Sequence, residues 1–161
     1  MTKPFRGTFT VMVTAFDSAG RLDLEAQARF TDWQVREGIH GLIPLGSTGE
    51  FLSLTPEERK AVAKCVIDTV AGRVPVLVGA GAEWTQDVID NVAMAEELGA
   101  DGTMIIPPFY STPTWDELIH HFRCIGEAAT RPIMIYNNPA TANVDLTPPL
   151  VAELSRLPNV D

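Results

Sequence analysis

The stretch "GSTGEFLSLTPEER", Gly46 to Arg59, follows the apolar run "GLIPL" and places two hydroxyls between two glycines with an acid behind them. Gly46 and Gly49 permit tight backbone turns, which leaves amide N–H groups and the Ser47 and Thr48 hydroxyls free to grip a small anion such as a carboxylate. The same residues serve equally well to close a βα turn and cap the next helix. Tyr136 stands where "PIMIY" emerges from an apolar run, and a phenol there can act as a general acid or base; a core tyrosine with its hydroxyl satisfied by backbone fits the same spacing. Tyr110 follows Pro107, Pro108 and Phe109 in a loop too apolar for mere solvent filler. That loop reads as a pocket lining, a subunit contact or a packed aromatic plug.

Other chemistries find less support. No Gly-Lys-Ser/Thr follows the first loop, so it is not a phosphate-binding P-loop, and "GAGAEW" lacks the third glycine of a dinucleotide fingerprint. His40, His120 and His121 have neither i,i+4 spacing nor an accompanying cysteine or carboxylate cluster, so they read as surface or cap residues with no metal to hold. No nucleophile-elbow motif supports a Ser-His-Asp arrangement. The pairs Glu57–Glu58 and Glu96–Glu97 lie on helices and read as solvated faces.

The elements that must position these residues alternate. Short β-branched runs at "TFTVMVTAF", "GLIPLG", "PVLVGAG", "DGTMIIP" and "PIMIYNN" are separated by helical periods over about 24–37, 55–71, 84–98, 114–129 and 147–156. Thr55 is the expected N-cap of the second helix with Pro56 in its first position, and Gly72 and Gly99 stand where helices stop. Such alternation predicts βα units around a parallel sheet, with ligands at the carboxyl ends of the strands. Thr14 and Ala15, Gly79 to Gly81 and Tyr136 to Thr141 also fall on that edge. No composition shift marks a second domain, so residues 1–161 read as one. An open doubly wound sheet fits the length; a (β/α)8 barrel needs about 200 residues or more. "LSRLPNVD" nevertheless ends a helix and starts a sixth strand near Val160.

The 161 residues carry a formal charge of −9, with 45% hydrophobic and 20% charged residues. That balance is globular, and the acidity argues against nucleic acid or anionic membrane as the main partner. Cys65 and Cys124 lie in separate helical patterns and read as reduced, buried thiols of a cytoplasmic protein. Neither a signal peptide nor an apolar run of membrane-spanning length is expected.

Three ordered motifs, "GSTGEFLSLTPEER", "PPFYSTPTWDELIHHF" and "IYNNPATANVDL", resemble the dihydrodipicolinate synthase and N-acetylneuraminate lyase family of Schiff-base aldolases, and the likeness runs from "FRGTFTVMVTAFDSAGRLD" to "LPNV". The resemblance implies a (β/α)8 TIM barrel of which this chain covers about five βα units, with the rest of the barrel and a helical C-terminal extension absent. It implies that Ser47 and Thr48 bind the carboxylate of pyruvate or a 2-keto-3-deoxy acid, with Ser47 also relaying a proton. Tyr136 becomes the proton shuttle, and Tyr110 the tyrosine that reaches a neighbouring subunit's site. No cofactor or metal is implied; a 2-keto acid and a homo-oligomer, dimer or tetramer, are. Two departures stand out. Thr141 occupies the place of the arginine that holds the second substrate in dihydrodipicolinate synthase, which favours a lyase or dehydratase acting on a keto-deoxy acid. The family's Schiff-base lysine falls a few residues beyond Asp161, while the lysines here are Lys3, Lys60 and Lys64. The expectation is therefore an N-terminal portion that is inactive alone. A non-catalytic half-barrel that binds a partner or itself is one alternative, and an unrelated doubly wound anion-binding domain is another.

Overall fold

A computed structural model describes residues 5–160 of the chain. Lys3 lies outside the described residues. Its elements alternate as the periodicities predict: β1 (Phe9–Val11), α1 (Leu24–Arg36), β2 (Gly41–Ile43), α2 (Pro56–Val70), β3 (Leu77–Gly79), α3 (Thr85–Glu97), β4 (Gly102–Ile105), α4 (Trp115–Ala128), β5 (Ile133–Ile135), α5 (Pro139–Ala142) and α6 (Pro148–Leu154). The described residues group into two compact units, one running up to Gly79 and including Glu97–Asp101, the other comprising Ala80–Glu96 and the residues from Gly102 onward.

In the first unit β1 and β2 pair in parallel, Phe9 opposite Gly41 and Val11 opposite Ile43. Leu42 bridges Val76 in parallel at the entry to β3, and the Gly79 N–H donates to the Pro44 carbonyl at 2.9 Å. The helices start where their sequences supply caps. Asp23 accepts from the Ala26 N–H at 2.8 Å. At α2 the Thr55 hydroxyl accepts from the Glu58 N–H while Glu58 accepts in return from the Thr55 N–H, at 3.2 and 2.9 Å. This reciprocal box satisfies two of the donors that a helix start leaves open. Ala71 and Gly72 both adopt positive φ at the other end, as Gly99 does after α3. Val62, Ala63, Val66 and Val70 bury one stripe of α2, and Met12, Leu42, Leu77 and Val78 are buried in the same unit.

In the second unit β4 and β5 pair in parallel, Thr103 opposite Ile133 and Ile105 opposite Ile135. The core joins Ile105 and Ile133 to Leu118, Phe122 and Ile125 of α4 and Leu150 and Leu154 of α6. Each such side chain contributes about 1.5–3 kcal/mol on burial. α4 opens on a second capping box, between Thr114 and Glu117. The sixth strand expected at Val160 is present as one parallel bridge to Ile133, with the Ile133 N–H donating to the Asn159 carbonyl at 2.7 Å. Within each unit neighbouring strands are sequential, as in a barrel wall.

The periodicity misses three short pieces. Ser47–Gly49 and Phe51–Ser53 are single 3-10 turns, and α5 lies inside the "YNNPATAN" loop. The first strand is also shorter than "TFTVMVTAF" suggests. Its ladder ends at Val11 because the chain turns to meet α1, where buried Gln27 accepts from the Ala15 N–H at 2.9 Å and donates to the Val13 carbonyl at 3.3 Å.

Candidate functional site

The hydroxyl pair sits in the first unit, just past β2. Ser47 and Thr48 are exposed, and among the described residues neither hydroxyl takes part in a hydrogen bond of the chain. The loop beneath them is fixed. Thr14, buried beyond β1, donates its hydroxyl to the Gly49 carbonyl at 2.7 Å, and the Gly49 N–H donates to the Gly46 carbonyl at 2.9 Å. The glycines work differently from the expectation that they supply the turns. Gly46 is extended, with φ −78°, and the positive φ values fall on Leu45 (61°), just before it, and on Glu50 (55°), just after Gly49. Gly49 is required for space, since a Cβ there would lie 2.9 Å from the Met12 carbonyl oxygen. At Gly79 a Cβ would lie 2.0 Å from the Leu45 carbonyl oxygen, so the backbone after β2 runs against β3 with no room for a side chain.

The phenols belong to the second unit. Tyr136 follows β5, its N–H donating to the Ile105 carbonyl at 2.8 Å, and its half-buried ring carries a hydroxyl that accepts from Asn138 Nδ2 at 2.9 Å. The partner is thus a side-chain amide, where a core tyrosine would use backbone. Asn138 occupies the N-cap position of α5 without capping it, because its side chain serves the phenol. With one lone pair engaged, the O–H proton remains available to donate. Asn137 closes the same loop, donating to Asp145 at 2.9 Å and accepting from the Leu146 N–H at 3.1 Å. Thr141 lies exposed on α5.

Tyr110 is 88% exposed, which rules out a packed plug. Its loop is gathered on Glu83, whose carboxylate accepts the N–H groups of Phe109, Tyr110 and Ser111, each at 2.9 Å. Partial burial alone would raise the Glu83 pKa, but bonds from the Ser111 side chain and the three N–H groups outweigh it and hold the carboxyl below its usual range. Sequence reasoning did not single out Glu83, Asn138 or Gln27, since a lone acid, amide or glutamine in such positions carries no pattern.

Three readings of side chains change. His121 is a buried residue of the α4 core stripe, not a surface histidine. Its Nδ1 is 2.9 Å from the Thr85 hydroxyl and its Nε2 has no partner. Burial pushes its pKa down to about 4, helped by His120 and opposed by Glu83. Cys65 and Cys124 are free but only half-buried, with burial raising the Cys65 thiol. Glu96 does more than face solvent: it accepts from the Thr130 N–H and hydroxyl and the Arg131 N–H, tying α3 to the start of β5. Of the described lysines, Lys60 pairs with Glu97 and Lys64 with Asp68, both on the exposed side of α2.

Among the described residues no cluster of three or more His, Cys, Asp or Glu could hold a metal ion. No helix there is long and apolar enough to cross a membrane. A cavity of about 590 Å3 in the second unit is lined by Thr85, Ser111, Asp116 and His121 among others, and Tyr136 does not border it.

A parallel βα repeat with a hydroxyl loop after its second strand and a tyrosine after its fifth defines an α/β enzyme-like scaffold of the barrel class. Residues 4–161 match the model of the dihydrodipicolinate synthetase family, and the chain belongs to that family. It is 42% identical to the 4-hydroxy-tetrahydrodipicolinate synthase of Ruegeria pomeroyi and 40% identical to that of Nitrobacter hamburgensis, covering 97% of this chain and 53% and 52% of theirs. Solved structures agree. YagE from Escherichia coli K12, a prophage protein of the dihydrodipicolinic acid synthase family in complex with pyruvate, superposes with a TM-score of 0.92 at 40% identity, over 96% of this chain and 52% of that one. The chloride-inhibited dihydrodipicolinate synthase from Acinetobacter baumannii complexed with pyruvate gives 0.93 at 30% identity, over 96% and 54%. The fold class is that of the family's (β/α)8 barrel, of which the five βα units here form a part, and the chain spans about half the length of the curated relatives it matches.

Proposed function

We propose that this chain carries the carboxylate grip and the proton relay of a cytoplasmic Schiff-base lyase acting on pyruvate or a 2-keto-3-deoxy acid. The observation that carries the reading is the Ser47–Thr48 pair: two exposed hydroxyls, without hydrogen bonds among the described residues, on a loop that the first unit holds in place through Thr14. Two hydroxyl donors suit a carboxylate, which accepts through both oxygens. Tyr136 gives and takes protons at the keto carbon and the bond that breaks, its orientation set by Asn138. Tyr110, exposed on its loop, completes the relay in a neighbouring subunit of a dimer or tetramer. Thr141 in place of an arginine removes a cationic hold on a second carboxylate, which favours aldol cleavage or dehydration of one keto-deoxy acid over condensation with a second substrate.

The nucleophile is an amine. It condenses with the keto carbon, losing water, and the resulting iminium draws electrons from the adjacent C–C or C–O bond as that bond breaks. Lys60 and Lys64 do not suit this role, since each points from an exposed helix face toward a carboxylate. Following the family resemblance, the proposal takes the amine to lie beyond Asp161, on the strand that begins near Val160. Borohydride trapping with pyruvate and intact-mass analysis test this on the full-length protein and on the 161-residue chain. One adduct on a downstream lysine of the former, with none on the latter, is the expected result; an adduct at Lys60 or Lys64 refutes it.

A further inference from the structure

The loop "PPFYS" has an unusual hydrogen-bonding problem. Pro107 and Pro108 have no N–H groups, so the segment leaving β4 cannot be tied to a neighbour through its first donors. The next three donors, on Phe109, Tyr110 and Ser111, all converge on one side chain, with Phe109 and Tyr110 bonding Glu83 Oε2 and Ser111 bonding Oε1. The loop's acceptor side is held as well: Asn143 Nδ2 donates to the Phe109 carbonyl at 3.2 Å. Asn143 ends α5 in the left-handed region, φ 55°, and α5 begins after the Asn138 that orients the Tyr136 hydroxyl.

We infer that Glu83 is a positioning residue: its carboxylate orders Phe109–Ser111 and so sets where Tyr110 is presented, while Asn143 registers that loop against the one that follows Tyr136. The inference rests on the reading of Tyr110 as part of the proton relay. Only a carboxylate meets the requirement. It accepts on both oxygens, whereas a glutamine would turn an NH2 group toward one set of N–H donors and leave them facing another donor. Aspartate, one methylene shorter, falls short of three donors spread over Phe109–Ser111. The titratable group on the neighbouring helix that Glu83 influences is His121 of α4, whose ionisation it favours against burial.

Amide NMR of the 15N-labelled chain from pH 3 to 7.5, with hydrogen exchange at the upper end, tests the inference without relying on activity. The Phe109, Tyr110 and Ser111 resonances should move together with one midpoint below the ordinary carboxylate value. Glu83→Gln should abolish that shared titration and speed exchange of the three amides on the order of tenfold to a hundredfold, as expected for losing charge-assisted bonds. His121 titrates in the same acid window, but its titration persists in Glu83→Gln, which separates the two. Three amides that do not titrate together in the wild-type chain would overturn the inference, and so would unchanged exchange in the variant. In the full-length enzyme, Glu83→Gln and Tyr110→Phe should lower kcat non-additively. Should loop order depend on Glu83 while both variants keep full kcat, Glu83 remains the positioning residue and the reading of Tyr110 as a relay falls.

Discussion

Acid should weaken this protein through His121 before it protonates most of its carboxylates. The ring is 5% exposed, bonded at Nδ1 to Thr85 and unpartnered at Nε2, and its pKa falls from the ordinary 6.5 to about 4. Burial is the main cause. The folded-state value is depressed, so between about pH 4 and 6.5 the unfolded chain binds the proton that the folded chain refuses. Stability from this group is complete above about 6.5, falls as the pH drops, and levels off below about 4. At about 1.4 kcal/mol per pH unit the whole span amounts to about 3 kcal/mol, of which about 1 kcal/mol is lost between pH 7.5 and 5.5.

Urea unfolding followed by tryptophan fluorescence reads this directly, because Trp84 and Trp115 lie in the same unit as His121. His121→Phe removes the titration and the unpartnered nitrogen together, and its ring can keep the edge contact with Phe122. The variant should be no more than about 1 kcal/mol less stable than wild type at pH 7.5, through the lost Thr85 bond. At pH 5.5 it should equal or exceed wild type. Every other titratable group is common to both proteins, so the difference between the two slopes isolates His121. Parallel slopes, or an NMR titration of the His121 ring near 6.5, would refute the argument that burial holds the ring neutral.

Two further outcomes concern the first unit. Ser47→Ala and Thr48→Val in the full-length protein should each raise KM for the keto acid about tenfold to a hundredfold, at about 1.5–3 kcal/mol for a bond to a charged group, with the urea midpoint unchanged because both side chains are exposed. An unmoved KM would remove the hydroxyl pair from the substrate. Thr14→Val deletes the 2.7 Å bond to Gly49 and should cost about 1–3 kcal/mol of stability. It should also raise KM although Thr14 is buried beneath the loop, and a stability loss without a KM change would show that the loop holds its shape unaided.

Much of the scaffold could be read from the chain because its local signals agree. At α2, Thr55, Pro56 and Glu58 each favour a helix start at the same place, and Ala71–Gly72 closes it with positive φ at both residues. The 3-10 turns around Glu50 could not be read this way, since three residues carry no periodicity. His121 was legible in principle: it stands three residues after Leu118 and four before Ile125, inside the buried stripe of α4. Testing the histidines for metal-ligand spacing looks for pairs and passes over a single polar member of an apolar stripe. The Ser47, Thr48, Tyr110 and Tyr136 positions came from motif resemblance, and what holds them in place did not. Thr14, Glu83 and Asn138 act through contacts 35, 26 and two residues away in sequence, and only the first two need the fold to bring them there.

The hydroxyl loop shows why motif and mechanism separate here. A loop chosen for stability alone would put glycines at its two left-handed positions, but these are Leu45 and Glu50, each in a region costing about 1–2 kcal/mol for a residue with a Cβ. The glycines stand where backbone crowds backbone, at Gly49 against Met12 and at Gly79 against Leu45. Leu45 is 2% exposed, so its side chain anchors the strained turn in the apolar interior, while Arg59 fastens the far side by donating to the Phe51 carbonyl at 3.0 Å. The turn is therefore held from both ends and from below through Thr14, and among the described residues the Ser47 and Thr48 hydroxyls it carries have no partner. Rigid backbone under unengaged donors is the arrangement that lowers the entropic cost of binding an anion, and it explains why the strain is tolerated at this loop.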